Sequence, residues 1–321
     1  MNTIFQKESY ESVKTAAGII RAGGLVAFPT ETVYGLGADA LSSEACVKIF
    51  EAKMRPFFDP LICHVDSARM AEKISWVSDK AVSLFEKFSP GPLTIVMKKR
   101  DIVPGIVTSG FDTVAVRIPA NETALSLIRE SGRPIAAPSA NPFGFLSPTE
   151  AIHVADSLSG RIDMIIDGGK CGIGVESTII RFNEDKTEIL RPGGLALEEL
   201  EDFLHEKISC FSGSSSAAPG MLESHYAPSK KLILIKEGEQ LDFSDAVLLS
   251  FRGKDASRAE NCEILSGRGD IREAAANLFS LLHKIDLLPV KYIYAEEIPE
   301  TGIGLAVMNR LKKAAADRKF I

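Results

Sequence analysis

The chain has 321 residues, 45% hydrophobic and 25% charged, which is long enough for two domains and too balanced for a disordered or fibrous protein. A net charge of −6 argues against a protein that coats nucleic acid through its overall field, so we expect no strong direct nucleic-acid binding. The five cysteines lie far apart without a CxxC pair, no apolar run approaches the ~18 residues of a membrane span, and the first residues lack a secretory signal pattern, so we expect a cytoplasmic protein.

Residues before position 209 alternate between short apolar runs and amphipathic segments. The apolar runs predict strands at 25–28, 61–65, 93–98, 114–118, 135–137, 163–166, 178–182 and 187–191. The amphipathic segments predict helices at 9–22, 43–53, 79–88, 121–131, 148–158 and 197–207. Strands and helices interleaved in this way are typical of an α/β fold with largely covered sheets.

The composition changes between Ser209 and Ser229, where SCFSGSSSAAPGMLESHYAPS is rich in Ser, Ala, Gly and Pro. This composition predicts a linker that is flexible at SGSSSAAPG. A simple spacer has no need of the larger side chains in its second half, so we expect that half to dock on the protein through Met221, Leu222, His225 and Tyr226.

Beyond the linker, the chain continues with a β-then-α rhythm. Strands are predicted at LILIK, AVLLS and YIYAE, and helices at 270–284 and 303–316. We therefore expect three parts: an N-terminal domain at 1–208, a linker or lid at 209–229, and a small Rossmann-like α/β domain at 230–321.

The strongest candidate site residues follow predicted strands, because loops at strand ends hold the sites of α/β folds. PTETVYGLG follows the first strand and offers hydroxyls and a carboxylate, although a tight turn explains it equally well. Lys53 and Arg55, two residues apart at a helix end, can bracket phosphate oxygens. For a random KxR pair, favourable charge at a helix C-terminus is the simpler explanation.

A second group of polar residues lies in the turn PSAN at 138–141 and at Ser147, just before a predicted helix. Such turns can cradle anions, and ordinary turn chemistry explains them as well. There is no GxxxxGK[ST], GxSxG or HExxH motif, no histidine pair has metal-ligand spacing, and His64 lies in a strand, where a histidine is more often a core residue. The inventory of hydroxyls, cations and glycine loops without a nucleophile suits phosphate-group chemistry driven by positioning and charge.

Seven segments occur here in the order seen in the YrdC-like family: GGLVAFPTETVYGLG, AKMRPFFDPLICH, SPGPLTIVMK, VAVRIP, AAPSANPFGFLSPT, GVESTII and ILRPGG. The chain resembles the longer two-domain members of that family, the threonylcarbamoyl-AMP synthases, and the likeness extends through SHYAP in the linker to GIGLAVMNRLKKAAA near the C-terminus. The resemblance implies a YrdC-like twisted mixed sheet with helices, joined by a linker to the small Rossmann-like domain.

The resemblance also implies a reaction. L-Threonine, bicarbonate or CO2, and ATP would give L-threonylcarbamoyl-AMP and pyrophosphate, with Mg2+ expected on the triphosphate. A downstream tRNA threonylcarbamoyl transferase would pass the threonylcarbamoyl group to an adenosine beside the anticodon. By the same resemblance, the expected threonine-binding residues are Thr32, His64, Arg117, Ala137 and Ser177. The expected ATP-binding residues are Lys53, Arg55, Asp59, Thr113, Ser139, Asn141, Ser147, Arg191 and Tyr226.

One position departs from the family pattern. The family usually has asparagine where this chain has Asp59, and a carboxylate cannot donate a hydrogen bond to phosphate as an amide can. We expect Asp59 to face the ribose or Mg2+, or to contribute less than asparagine would. We assign no metal ligand, nucleophile or base, because the threonine carbamate can attack the α-phosphorus directly while a lid excludes water.

Two other functions compete with this interpretation. An RNA-binding tRNA or ribosome maturation factor would use the basic run at 98–100, but the chain lacks an RNA-recognition signature with interleaved aromatic residues. A carbamoyl-adenylating domain of the kind found in hydrogenase maturation would share the fold and would lack the C-terminal domain.

Overall fold

The computed structural model describes residues 2–183, 186–211, 226–239 and 241–316. Within these ranges, the N-terminal part forms an 11-stranded mixed sheet in the order β1-β8-β2-β3-β7-β4-β6-β5-β9-β10-β11. Its strands are β1 Ile4–Lys7, β2 Val26–Phe28, β3 Gly35–Asp39, β4 Ile62–His64, β5 Leu93–Lys98, β6 Thr113–Arg117, β7 Ile135–Ala136, β8 Met164–Asp167, β9 Thr178–Asn183, β10 Lys186–Arg191 and β11 Ser209–Cys210.

Helices cover this sheet, and their starts follow from short polar side chains in the sequence. Ser9, Ser42 and Asn121 each accept a hydrogen bond from the first turn of their helix, which satisfies an amide that has no intrahelical partner. The helices are α1 Tyr10–Arg21, α2 Ser43–Lys53, α3 Ala68–Ile74, α4 Asp79–Phe88, α5 Glu122–Ser131, α6 Ala151–Leu158 and α7 Leu197–Leu204.

The central strands of the large sheet are apolar on both faces, because helices pack on each side. One hydrophobic core includes Leu36, Ile49 and Val116, and a second includes Val26, Ile128 and Ile135. Both cores are fully or almost fully buried, as expected for a sheet covered on both faces.

The C-terminal part forms a separate four-stranded sheet in the order β12-β15-β13-β14, in which all neighbouring strands are parallel. Its strands are β12 Lys231–Ile235, β13 Ala246–Ser250, β14 Cys262–Ile264 and β15 Tyr292–Glu296, with helices α8 Ile271–Asp286 and α9 Gly304–Ala315 and a short 3-10 helix at Ala256–Arg258. The predicted α/β class, a mixed sheet followed by a small parallel α/β domain, is confirmed.

The two domains meet where the glycine-rich loop at 168–175 lies against helix α8. At Gly174, which has φ +79°, a Cβ would lie 2.3 Å from the carbonyl oxygen of Ala275, so the two backbones approach as closely as glycine permits. Lys170 Nζ donates to Asn277 Oδ1 at 2.9 Å across the same interface. The second domain therefore packs directly against a loop of the first.

The predicted helices and strands are all present, with ends shifted by a few residues. The sequence pattern did not predict β1, β3, α3, β11 or β14. The linker residues Met221, Leu222 and His225 lie outside the described ranges, and Tyr226 lies inside them. No helix in these ranges has the length and apolar character needed to cross a membrane.

Candidate active site

A cavity lies at the ends of the central strands of the large sheet. It is bordered by the β2–β3 loop, strands β4 and β6, the turn after β7, the segment entering β9, the end of β10, and Tyr226 from the second half of the linker. Nine of the fourteen predicted site residues line it: Thr32, Arg55, His64, Arg117, Ala137, Ser139, Ser177, Arg191 and Tyr226. Residues from distant parts of the sequence therefore converge at one place.

The strand register explains why the predicted threonine-binding residues meet. Arg117 pairs with His64 on β4 and with Thr94 on β5, so three consecutive strands present these side chains side by side. The hydroxyls of Thr94 and Ser177 share a hydrogen bond at 2.7 Å, which places Ser177 beside this row. Ala137 N donates to Ile62 O at 2.8 Å and fixes the turn after β7 against the row.

The same end of the cavity contains the guanidinium of Arg117 and a neutral histidine. Burial, and secondarily the charge of the neighbouring Arg117, lower the pKa of His64 to about 3, so the imidazole is uncharged at pH 7. Its Nδ1 is buried and has no hydrogen-bond partner in the described part of the chain. His64 can therefore offer a neutral ring nitrogen to a ligand, with Arg117 as the positive charge.

Lys53 occupies an unexpected position for a phosphate ligand. Its side chain is fully buried, and its Nζ donates to the carbonyl oxygens of Ser139, at 2.5 Å, and of Asn141. Burial, and secondarily the charge of Arg55, lower its pKa well below the usual value. Lys53 thus stabilises the PSAN turn from the side that faces away from the cavity, which Lys53 does not line. A direct contact between Lys53 and ATP stays a prediction.

Arg55 and Asp59 form a buried ion pair at the edge of the cavity. Arg55 Nη2 lies 2.9 Å from Asp59 Oδ2, and Arg55 also donates to the carbonyl oxygens of Asp59 and Pro60. Both side chains are almost inaccessible to solvent. The carboxylate of Asp59 is therefore engaged with Arg55, and Asp59 is not among the residues that line the cavity.

The remaining predicted nucleotide ligands support the cavity wall. Asn141 Nδ2 donates to Pro142 O and Phe145 O, both at 2.9 Å, and Ser147 Oγ donates to Glu176 Oε1 at 2.5 Å. Arg191 Nη2 donates to Ser177 O at 3.0 Å. Thr113 starts β6, at the opposite end of the strand from Arg117, and does not line the cavity.

Sequence reasoning missed two charged residues at this site. Glu176 lines the cavity, and its Oε2 accepts a hydrogen bond at 2.7 Å from Nε of Arg310, which lies on helix α9 of the C-terminal domain. Burial alone would raise the pKa of Glu176, but the charges of Arg310 and Arg191 hold it at about 2. The arginine side chain is completely buried and does not line the cavity, so the second domain places a charge behind Glu176 in the cavity wall.

Arg310 also holds two neighbours of the cavity. Its Nη1 donates to Pro192 O at 2.9 Å, next to Arg191, and its guanidinium carbon lies 5.0 Å from the centre of the Tyr226 ring. Tyr226 adopts φ +61°, a left-handed conformation that costs energy for a residue other than glycine. The only sequence signal for Arg310 was its place inside GIGLAVMNRLKKAAA, a segment used for the resemblance without a residue role.

A stacked pair of histidines lies at the domain interface near Ser147. The rings of His153, on α6, and His283, on α8, are 3.9 Å apart and nearly parallel, at 15°. His283 Nε2 lies 3.2 Å from Ser147 O and donates to it, and Thr149 N donates to His153 Nδ1 at 3.4 Å. Burial lowers the pKa of both histidines to about 4, helped by Lys170 at His153 and by His153 at His283.

This pair predicts an acid-sensitive domain interface. Because the folded-state pKa values lie near 4 and the unfolded value is near 6.5, the unfolded chain binds more protons between these limits, and stability is lost as pH falls from 6.5 towards 4. A His283→Phe variant keeps a stacking ring without the titrating nitrogen. When the pH is lowered from 7 to 4.5, the melting temperature of this variant should fall less than that of the parent chain. If the two melting temperatures fall equally, the histidine pair does not take up protons on unfolding.

Comparisons with known proteins bear on the whole chain. A family model described as "Telomere recombination" (Sua5_yciO_yrdC) matches residues 18–193, and one described as "Threonylcarbamoyl-AMP synthase, C-terminal domain" matches residues 195–316. The chain is 46% identical to the threonylcarbamoyl-AMP synthase of Pyrococcus abyssi (strain GE5 / Orsay), over 95% of this chain and 94% of that protein. It is 42% identical to the protein of the same name from Bacillus subtilis (strain 168), over 95% and 93% of the two chains. The crystal structure of P. abyssi Sua5 complexed with L-threonine superposes with a TM-score of 0.89 at 43% identity and covers 98% of both chains.

Proposed function

The chain belongs to the family of two-domain threonylcarbamoyl-AMP synthases, and from this membership we propose that it converts L-threonine, bicarbonate or CO2, and ATP into L-threonylcarbamoyl-AMP and pyrophosphate. The observation that best supports the proposal is a single cavity lined by Arg117, His64 and Ser177 at one end and by Arg55, Arg191 and Tyr226 elsewhere. Arg117 can bind the carboxylate of an amino acid, and Arg55 and Arg191 can bind the phosphates of a nucleotide beside it.

L-Threonine fits the end formed by β4, β6 and the segment entering β9. The Arg117 guanidinium would bind its carboxylate, and the hydroxyls of Thr32 and Ser177, the neutral His64 ring and the backbone at Ala137 would contact its polar groups. The relative that superposes on this chain contains L-threonine, which supports the assignment. We propose the same ligand here.

ATP fits the side formed by Arg55, Ser139, Arg191 and Tyr226. The two guanidinium groups would neutralise phosphate oxygens, while Lys53, Asn141 and Ser147 would keep the turn and the wall behind them in place. Thr113, at the start of β6, does not line the cavity, so a contact between Thr113 and ATP stays a prediction. Tyr226 would close the nucleotide pocket from the linker side.

In the proposed reaction, the threonine amine adds to CO2, and a carbamate oxygen then attacks the α-phosphorus of ATP. The new bond joins that oxygen to phosphorus, and the bond to the β-phosphate oxygen breaks to release pyrophosphate. No protein nucleophile takes part, so the side chains act by orienting the two substrates and neutralising charge. The buried cavity would also protect the labile carbamate and mixed anhydride from water.

Mg2+ and the wider setting belong to the same proposal. Mg2+ would accompany ATP and neutralise part of the triphosphate charge. Across the described ranges, no three His, Cys, Asp or Glu side chains cluster to hold a metal ion. The product's instability calls for a downstream tRNA threonylcarbamoyl transferase as the next partner. The five free cysteines agree with a cytoplasmic setting.

The decisive experiment measures pyrophosphate release by the full chain with ATP and bicarbonate, with and without L-threonine. Release that requires L-threonine and yields L-threonylcarbamoyl-AMP by mass spectrometry supports the proposal. Release without threonine would point to the carbamoyl-adenylating alternative, although the match of residues 195–316 to the C-terminal domain of the synthases speaks against that class. No release, together with tight tRNA binding, would favour the RNA-binding alternative.

Asp59 gives a prediction specific to this chain. Asp59→Asn restores the residue common in the family, removes the carboxylate that pairs with Arg55, and frees the guanidinium for phosphate. We expect a lower melting temperature without ligand, a larger rise in melting temperature on adding ATP, and a KM for ATP about threefold lower or better. Asp101→Asn, at an exposed position, is the control. A raised KM for ATP would show that the Asp59 carboxylate itself serves the nucleotide.

A further inference from the structure

Two contacts with the protein, to Gly91 and to Glu31, orient the buried guanidinium of Arg117. Its side chain is 4% exposed, and its Nε donates to Gly91 O over a long 3.3 Å. Its Nη2 lies 2.7 Å from Glu31 Oε1 in an ion pair whose atoms are not aligned for a hydrogen bond. Within the described residues Nη1 has no protein acceptor, so this nitrogen remains for a ligand in the cavity that Arg117 lines.

Glu31 lies in the β2–β3 loop, between two threonines that line the cavity. Its side chain is 15% exposed, both carboxylate oxygens are shielded from solvent, and neither accepts a hydrogen bond from the described part of the protein. The backbone is fixed, because Ile173 N donates to Glu31 O at 2.8 Å. Shielding a carboxylate from water without hydrogen bonds costs free energy of folding. The positive charge of Arg117 offsets part of that cost for Glu31.

We propose that Glu31 is a positioning residue for amino-acid binding: it pairs with one edge of Arg117 and thereby directs the other edge at the carboxylate of the substrate. This inference rests on the proposed function and extends it to a residue to which no role was assigned. Glu31 is not among the side chains that line the cavity, so it acts through Arg117 and does not touch the substrate.

The arrangement makes the carboxylate a strict requirement for the ligand. Contacts at Nε and Nη2 leave Nη1 of Arg117 pointing in one fixed direction. The conformational entropy of this long side chain is therefore already lost when the protein folds, and ligand binding does not have to order it. Removing the Glu31 charge should therefore weaken binding of ligands that have a carboxylate and leave ligands without one unaffected. Nucleotide binding, which involves other side chains, should not change.

The test uses calorimetric binding of L-threonine and of L-threoninol, which has an alcohol in place of the carboxylate, to the full chain. In Glu31→Gln we expect L-threonine to bind at least tenfold more weakly, while binding of L-threoninol changes less than twofold. In turnover, the KM for L-threonine should rise by a similar factor, and the KM for ATP should stay within twofold. Glu31→Asp, which keeps the charge on a shorter side chain, should recover part of the loss.

Glu188→Gln is the matched control, because Arg181 Nε and Glu188 Oε2 also form an ion pair at 2.7 Å, away from the cavity. This control should leave both affinities unchanged. Unchanged or tighter L-threonine binding in Glu31→Gln, or an equal loss for both ligands, would overturn the proposal. A parent chain that binds L-threonine no better than L-threoninol would overturn it too. If L-threonine binds as expected but no pyrophosphate is released, the proposed reaction fails and the positioning role stands.

Discussion

Arg310→Met is expected to lower kcat/KM for threonine-dependent pyrophosphate release by at least about 100-fold, equivalent to ~3 kcal/mol. The substitution removes the ion-pair partner of Glu176, a buried carboxylate in the wall of the cavity, and leaves it with the Ser147 hydrogen bond and the more weakly acting Arg191 charge. The less compensated carboxylate would repel the triphosphate. It also removes the donor to Pro192 O and the cation beside Tyr226. The melting temperature should fall as well, because breaking a buried ion pair costs about 3–5 kcal/mol.

Two controls separate the role of Arg310 at the site from its role in folding. Lys312→Ala changes a cation on the same helix that pairs with Glu300 at the surface, and it should have little effect on either quantity. Adding Glu176→Gln to Arg310→Met removes both charges, so stability should largely return while activity stays low. An active Arg310→Met single variant would show that the charge from the second domain is not needed.

Lys53→Ala is the second substitution with a large expected effect, a loss of roughly 10- to 150-fold in kcat/KM, or ~1.5–3 kcal/mol. The structure changes the reason for this number. The ammonium donates to the carbonyl oxygens of Ser139 and Asn141, so its loss leaves two buried acceptors unpaired and loosens the turn that borders the cavity. The KM for ATP should rise more than the KM for L-threonine.

Lys48→Ala provides the comparison for Lys53. Lys48 lies on the same helix and its Nζ also donates to a backbone carbonyl, that of Gly23 at 2.7 Å, but it is exposed and distant from the cavity. Steady-state kinetics of Lys48→Ala should match the parent chain. Should Lys53→Ala behave in the same way, the PSAN turn would not depend on this lysine.

Periodicity predicted the elements that are long, apolar or amphipathic, and it missed those whose stability comes from neighbours. Strand β3 has the sequence GLGAD, which is poor in residues that favour strands, so the sequence pattern predicts a tight turn there. Packing requires the second of its two glycines, because a Cβ at Gly37 would lie 2.6 Å from the Phe28 ring and 2.7 Å from Ile135 Cγ2. Strand β1 is exposed along its length and has no apolar alternation to detect.

The site was predictable where its residues lie in motifs and unpredictable where they depend on docking between domains. The resemblance named Arg117, His64 and Ser177, and the strand register brings them together. The engagement of Asp59 with Arg55 could have been suspected from their spacing of four residues. The pairing of Glu176 with Arg310 spans 134 positions and depends on how helix α9 packs, which no local pattern encodes.

The contact between Glu176 and Arg310 also sets an order of events during synthesis of the protein. Chains fold as they emerge, with the N-terminal domain first, so the large sheet and most of the cavity can form while the C-terminal residues are still being added. The Arg310 charge that pairs with Glu176 arrives only with residue 310 of 321. Until then Glu176 lacks its ion-pair partner from the second domain, so the set of charges around the cavity is completed last.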